Sequence, residues 1–489
     1  MTEETFRPEA RAPRGFADKR AATLRAERRI VEAVSKVYEL WGFEPLDTGA
    51  FEYADALGKF LPDSDRPNEG VFALQDDDEQ WMALRYDLTA PLARFAAQNW
   101  ETLPKPFRRY AFGPVWRNEK PGPGRFREFI QCDADTVGSA RPEADAEIIA
   151  MAVAGLEAAG LARGQAVLKF SNRKILDGVM VAAGVAEGRQ KLTVLRALDK
   201  LDRLGRDGVR DLLGKGRLDE SGAFTPGAEL STAAASLVLD FLDMAVAGAP
   251  LDQLAAAPFA QAEAAMEGFR ELEAIIAALK GLGVDDTQAV FDPSIVRGLE
   301  YYTGAVFEAD LLIETPDEKG APVRFGSIGG GGRYDDLVAR FTGERTPATG
   351  FSFGVSRLAA ALKAAGREAA GEGRGPVVII AFDQARMADY FAVAGELRSA
   401  GIAAEVYLGT SGMRPQMKYA DRRLAPAAVI IGEDEFAAGT ATVKDLDLGR
   451  DLSKGVTDNA AWKAERPGQQ TVARADLVAT VRKIVEAAQ

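Results

Sequence analysis

The residues of this 489-residue chain best suited to chemistry lie between Phe107 and Gly138. Arg117, Arg125 and Arg127 flank a short loop, Glu119–Gly124, that carries Pro121, Gly122, Pro123 and Gly124. Gln131, Asp133 and Asp135 follow it. A planar guanidinium fork bonds phosphate oxygens in pairs. Several such forks beside a small polar pocket suit a polyphosphate lying next to a small zwitterion. From Lys105 to Arg127 seven basic residues stand against one acid, Glu119, and a second basic group, Arg414, Lys418, Arg422 and Arg423, lies near the C-terminus. The net charge of −13 argues against indiscriminate polyanion binding. Two basic islands on an acidic body suit one nucleic acid docked at two places. Each island also has a structural reading, as the solvated face of a hairpin or of a helix.

The chain contains no histidine and one cysteine, Cys132. That removes Ser-His and Cys-His nucleophiles, imidazole bases, His-ligated zinc, thiolate clusters and internal disulfides. Chemistry must run on carboxylates, guanidiniums, tyrosines, a hard cation such as Mg²⁺, or the substrate itself. Displacement at phosphorus fits, because positioning and charge neutralisation do most of the work there. No apolar run approaches bilayer length, and the polar, acidic N-terminus reads as neither a signal nor a transit peptide. Cytosol is the expected compartment, with no membrane partner.

The elements that must position these residues follow from periodicity. Strands are expected on both sides of the Arg-rich loop, around Tyr110–Trp116 and Phe126–Cys132. Residues 18–41 predict an amphipathic helix, stopped by Gly42. A strand is expected over Phe43–Phe51, a hairpin turn at Asp76–Glu79, and a strand over Trp81–Tyr86. Asp87-Leu-Thr89-Ala-Pro91 leads into a helix ending near Trp100, and Pro142–Ala159 predicts another. From about 176 to 282 the aromatics thin out and Ala, Leu, Glu, Lys and Arg dominate, which predicts a helical inserted domain. Strands return at Ala289–Phe291 and Thr303–Ile313, glycines cluster at Gly329–Gly332, and a strand-to-helix passage runs over Thr349–Leu362. Residues 366–375 read as a linker. Beyond it, Val377–Phe382, Ala403–Tyr407 and Ala428–Ile431 alternate with helical stretches, as in a small α/β domain.

The hairpin joins three further passages: Leu84-Arg85-Tyr86-Asp87-Leu88-Thr89, Val296-Arg297-Gly298-Leu299-Glu300-Tyr301-Tyr302-Thr303, and Gly350 to Leu358. The set resembles the histidyl-tRNA synthetase family of class II aminoacyl-tRNA synthetases over nearly the whole chain. The Arg-Gly-Leu-acid-Tyr-Tyr string is the most specific part. The resemblance implies an α+β catalytic domain on a mainly antiparallel sheet over 1–365, interrupted by a helical insertion at 176–282. It also implies a small C-terminal α/β anticodon-binding domain over 376–489. ATP and L-histidine would give histidyl-adenylate with Mg²⁺, and the histidyl group would pass to the 3′ end of tRNA(His). A homodimer is implied as well.

Residue by residue, Arg117 and Arg297 resemble the arginines at the reacting phosphate. Glu119, Arg125, Phe129 and Arg357 fall in the ATP site, with Phe129 stacking on adenine. Asp87, Thr89 and Gln131 match the holders of the α-ammonium, and Asp135, Tyr301 and Tyr302 the imidazole contacts. Gly122 and Pro123 meet the tRNA acceptor end, and Arg414, Lys418 and Arg422 the anticodon. An acid paired with an aromatic hydroxyl satisfies both ring nitrogens, and such pairing rejects isosteres by roughly 10⁴ or more, so editing is unnecessary. Structural readings stand beside these. Asp87 suits a helix N-cap, Asp135 a partner for a structural arginine, Phe129 a core position, and Tyr301–Tyr302 a half-buried pair.

Four positions depart from the family pattern. Gly49 follows Thr48 where the first motif keeps a proline that supports the dimer. Ser356 stands where the third motif commonly has Glu, which would weaken an acidic contact near the ATP. Gly122 and Pro123 replace longer polar side chains, which predicts less reliance on the extra 5′ nucleotide of histidine tRNAs. Two non-charging alternatives remain: the regulatory paralogue that binds ATP phosphoribosyltransferase, and a nucleic-acid-binding or histidine-sensing module without turnover. A class II synthetase for another amino acid is a third. With no enzyme histidine, activity between about pH 5 and 8 is expected to follow the substrate imidazole.

Overall fold

The structure, a computed structural model, describes residues 8–57, 70–120, 126–186, 188–218, 222, 224–295, 302–316, 322–366, 374–453 and 468–487. The chain divides into two compact units, Met1–Arg367 and Glu368–Gln489.

In the first unit, α1 (Ala21–Leu40) buries Glu27, Ile30, Val34 and Tyr38, a stripe at three- and four-residue spacing. Strand β1 (Glu44–Pro45) lies parallel to β5 (Phe107–Trp116), while β2 (Phe51–Tyr53), β3 (Ala73–Gln75) and β4 (Trp81–Leu84) form a separate small sheet ordered β2-β4-β3. The single strand expected over Phe43–Phe51 is therefore two short ones. Pro45 carries no amide hydrogen for a ladder. The Thr48 carbonyl is taken by the Arg85 guanidinium at 2.7 Å. The turn at Asp76–Glu79 forms as expected, its Asp76 carboxylate accepting from the amides of Asp78 and Gln80.

After α2 (Thr89–Asn99), β5 and β6 (Glu128–Val137) form the long antiparallel hairpin, and α3 (Pro142–Ala158) follows. Then come β7 (Ala166–Asn172) and helices α4 (Arg173–Ala182), α5 (Arg189–Leu198), α6 (Leu201–Leu213), α7 (Thr232–Val246), α8 (Leu251–Ala255) and α9 (Glu263–Gly281). A small hairpin, β8 (Gly216–Leu218) and β9 (Phe224–Pro226), lies among them. Their buried side chains, Val194, Phe241, Phe259 and Leu272 among them, continue the core beneath the main sheet.

The chain returns through β10 (Ala289–Phe291), β11 (Ala305–Pro316), β12 (Pro322–Arg333), the short α10 (Ala339–Thr342), β13 (Ala348–Gly354) and α11 (Val355–Ala364). Among the described residues the main sheet has eight strands, ordered β1-β5-β6-β13-β12-β11-β7-β10. It is antiparallel except for β1–β5 and β7–β10. Helices α1 and α3 pack on one another and against the middle strands, with Tyr38 centred 5.8 Å from the Tyr110 ring and 6.5 Å from that of Phe353.

The second unit carries β14 (Val377–Ile380), α12 (Met387–Ser399), β15 (Ala404–Val406), α13 (Met413–Arg422), β16 (Ala427–Ile430), α14 (Glu433–Ala438), β17 (Thr440–Asp445), α15 (Leu446–Ser453), β18 (Gln469–Ala473) and α16 (Leu477–Ala487). Its sheet runs β15-β14-β16-β17-β18, parallel at β15-β14-β16 and antiparallel beyond.

One buried ion pair braces the first unit. The Arg333 guanidinium, at the end of β12, donates to Asp145 of α3 at 2.7 and 3.0 Å. It also donates to the carbonyls of Ser139 and Arg141 at 2.9 and 3.0 Å. Removing one partner strands the other charge in the interior. Arg333→Met is expected to destabilise the first unit by about 3–5 kcal/mol, read as a lowered urea midpoint; an unchanged midpoint would show the pair to be dispensable.

Candidate active site

Strand β6 presents Gln131, Asp133 and Asp135 at every second residue, so all three face the same side of the sheet. On the neighbouring β13, Gly350 and Ser352 pair with Asp135 and Asp133 in register. These residues floor a cavity of about 450 Å³. Asp87 and Thr89 enter it from the turn before α2, Arg117, Glu119 and Phe129 from the hairpin, and Arg357 from the first turn of α11. Gly329, Gly330 and Gly331 of β12 line another side with bare backbone. Gly350 must lack a side chain, since a Cβ there would collide with the Asp135 carboxylate.

The structural and functional readings coincide at several residues. Asp87 Oδ1 accepts from the amides of Thr89 and Ala90 at 3.0 and 2.8 Å, so it caps α2 while facing the cavity. Asp135 Oδ2 pairs with Arg109 at 2.9 Å, and both side chains are buried. The Tyr334 hydroxyl donates to Asp135 Oδ1 through a short hydrogen bond. Asp135, expected from sequence to meet the imidazole, thus has a structural arginine as partner. Arg109 and Tyr334 were not singled out from sequence. Arg109 pairs in register with Asp135 across the β5–β6 ladder, and that cross-strand relation was the available signal. Half-buried Tyr302 packs with the Tyr334 cluster at the cavity edge.

Arg117 donates through Nε to the Tyr86 carbonyl at 3.2 Å, and its guanidinium carbon lies 5.2 Å from the Phe129 ring centre. Phe129 also packs against Leu88, Ala111 and Val115, so it is at once part of a small core and a wall of the cavity. Ser356 faces elsewhere. Its hydroxyl donates to buried Glu27 at 2.6 Å and accepts from the Ile130 amide at 3.0 Å and Lys19 at 3.3 Å. That serine ties α11 to α1 and β6, beside an acid already supplied by α1. The expected catalytic contacts Arg297 and Tyr301, and Gly122, Pro123 and Arg125, lie outside the described residues. In the second unit Arg414, Lys418 and Arg422 are exposed at four-residue spacing along α13, and Arg423 pairs with Glu405 at 3.0 Å. Buried Gln416 anchors that helix to the Ala381 backbone at 2.6 and 2.9 Å.

The floor is electrostatically tense. Burial raises the pKa of Asp87 and of Asp135, partly offset at Asp135 by Arg109. Burial, then the neighbouring Asp135, push Asp133 up to about 8. Burial also pushes Asp145 up to about 6. Both carboxyls thus join the substrate imidazole as groups whose protonation bears on the range between pH 5 and 8. Burial holds the Cys132 thiol above its ordinary range, which removes it as a nucleophile.

Among the described residues no three carboxylates gather as a metal cage, and no helix is long and apolar enough to cross a membrane. One acid beside the arginines, Glu119, suits a cation that arrives on phosphates, since Mg²⁺ commonly takes one or two carboxylates plus substrate oxygens.

A carboxyl whose pKa rises on folding penalises the fold increasingly as pH climbs from its unfolded toward its folded value, and by a constant amount above. For Asp133 that window runs from 3.8 to about 8. Asp133→Asn is thus expected to raise Tm more at pH 8.5 than at pH 5. An equal gain at both, or a loss that grows with pH, would contradict the assignment.

The model of the histidyl-tRNA synthetase family matches residues 15–358, and that of an anticodon binding domain matches 376–484. The chain is 76% identical over 483 residues to a histidine–tRNA ligase of Caulobacter vibrioides, covering 98% of this chain and 97% of that one. It is 53% identical to the histidine–tRNA ligase of Bradyrhizobium diazoefficiens, covering 99% and 98%. The crystal structure of histidyl-tRNA synthetase from Nostoc sp. PCC 7120 superposes with a TM-score of 0.70 at 28% identity, covering 98% of this chain and 100% of that one.

Proposed function

This chain belongs to the histidyl-tRNA synthetase family and its activity is the ligation of histidine to tRNA; we propose that both steps run in the cavity floored by β6 and β13. The observation that carries this is one cavity joining two guanidiniums, Arg117 and Arg357, to an acidic floor. Histidine lies on the floor, with Asp87, Thr89 and Gln131 around its α-ammonium. Gln131 Oε1 is buried without a protein donor, which suits an ammonium. Asp135 and Tyr302, with Tyr301, read the imidazole. Asp135 already accepts from Tyr334 and pairs with Arg109, so its orientation is set before the ring arrives.

ATP lies along the hairpin. Phe129 meets adenine, Arg357 the phosphate tail, and Arg117 the innermost phosphate, with Arg297 completing the grip. Glu119 and Arg125 flank the nucleotide. A Mg²⁺ carried on the triphosphate would be held by phosphate oxygens with Glu119 beside them, and would neutralise phosphate charge. The substrate carboxylate attacks the α-phosphorus, the bond to pyrophosphate breaks, and no protein nucleophile is needed. The terminal ribose hydroxyl of tRNA then takes the histidyl group and AMP leaves. The hairpin tip with Gly122 and Pro123 meets the acceptor end, and α13 the anticodon. The chain works as a cytoplasmic homodimer. Exposed Phe51, Tyr53 and Leu74, which register places on one side of the small sheet, are an apolar face fit for a second copy.

Arg117→Ala is expected to lower histidine-dependent pyrophosphate–ATP exchange by roughly 10²–10³. A loss under threefold would remove Arg117 from the transition state. Replacing Arg414, Lys418 and Arg422 together with Gln is expected to raise KM for tRNA and flatten its salt dependence, with exchange unchanged. An unaltered salt slope would place the anticodon elsewhere.

A further inference from the structure

Of the three polar side chains on the β6 floor, Gln131 and Asp135 have partners in the reading above and Asp133 has none. It is only 2% exposed, yet it lines the cavity. Its neighbours come from every adjoining element. Asp135 stands beside it on β6, Arg109 on β5, Ser352 on β13, Asp87 before α2, and Arg85 just after β4. Arg109 is committed to Asp135 at 2.9 Å, and Tyr334 donates to the same carboxylate. Among the described residues no lysine or arginine comes within ion-pairing distance of Asp133. Ser352 donates to its Oδ1 through a short hydrogen bond.

Three carboxylates thus share this floor with two buried guanidiniums, Arg109, committed to Asp135, and Arg85, committed to the Thr48 and Pro114 carbonyls at 2.7 and 3.1 Å. A buried carboxylate held by a single hydroxyl is unfavourable unless a cation comes to it. The cavity's proposed ligand carries one. An ammonium offers three N–H donors, and the floor offers acceptors at Asp87, Gln131 and Asp133.

We infer that Asp133 is a further anionic contact for the substrate's α-ammonium, shared with Asp87 and Gln131, and that Ser352 aims it. The inference rests on histidine occupying this cavity as proposed above. Asp133 is a specificity residue on this reading: it favours amino acids over imidazole compounds that lack the ammonium. A bound ammonium favours its ionised form, and that negative charge opposes a second carboxylate on the floor, so the substrate carboxylate is turned toward Arg117. Ser352 is a positioning residue.

The test uses the full chain and three probes: L-histidine, L-histidinol, which keeps the ammonium without the carboxylate, and 3-(imidazol-4-yl)propionate, which lacks the ammonium. Dissociation constants are measured by calorimetry for the wild type, Asp133→Asn and Ser352→Ala, with Tm recorded for each. Asp133→Asn is expected to weaken histidine and histidinol by about 10- to 100-fold, the range of a hydrogen bond to a charged group. The propionate is expected to change by less than about twofold, because it makes no such bond. Ser352→Ala is expected to give the same pattern at smaller amplitude. Equal loss for all three probes would mean that Asp133 reads the ring, and unchanged histidinol binding would make it structural; either overturns the inference. A wild type that binds no histidine would overturn the pocket reading with it, whereas insensitivity confined to Asp133→Asn overturns this inference alone.

Discussion

The buried pairing of Arg109 with Asp135 is the constraint on which the active site depends. Both are almost fully enclosed, and each justifies the other. Without Arg109, Asp135 would carry an unpaired charge in the interior; without Asp135, so would Arg109. The pair bridges β5 and β6 directly across the hairpin ladder, so its geometry follows from strand register rather than from a flexible loop. Tyr334, reaching from the far end of β12, completes the arrangement and links it to the glycine-lined wall. Among the described residues the pair leaves Asp133 and Asp87 without a partner cation, and burial raises both carboxyls, so each has most to gain from a cation that enters the cavity.

The phosphate side is built on a different principle. Arg117 is held by one backbone carbonyl and by the Phe129 ring, and Arg357 projects from the first turn of a helix. Both guanidiniums are half-buried and line the cavity, where a polyanion that excludes water would strengthen their hold. The acidic floor is prepaid by folding, and the basic wall waits for its ligand. A reaction that joins a zwitterion to a polyanion needs both kinds of surface within a few ångströms.

Much of this was legible from residue order. The helix at Ala21–Leu40 follows from the spacing of Ile30, Val34 and Tyr38, and the long hairpin from alternation around Arg117. Gln131 and Asp135 sharing a face is period-two arithmetic. Less visible were relations across the sheet. Arg109 read as one more basic residue of the hairpin, because nothing local reports that it points inward. Ser356 read as a lost acid, whereas Glu27, more than three hundred residues earlier, stands against it. The strand expected over Phe43–Phe51 failed where a side chain, Arg85, captured a carbonyl that a ladder would have used. Strands β17 and β18 escaped notice because β18 is a polar edge, Gln-Gln-Thr-Val-Ala, with little alternation to detect.

Strand β13 is the last of the first unit to leave the ribosome, yet it sits between β6 and β12 in the middle of the main sheet. Until it arrives, β6 and β12 each present an open edge, and the amino-acid floor lacks Gly350 and Ser352. Nascent or truncated chains ending before Ala348 are therefore catalytically silent and sticky at two edges. Closing the sheet joins segments hundreds of residues apart, which makes assembly slow relative to the local helices. The central ladders of the sheet are thus completed only when β13 inserts between its two neighbours.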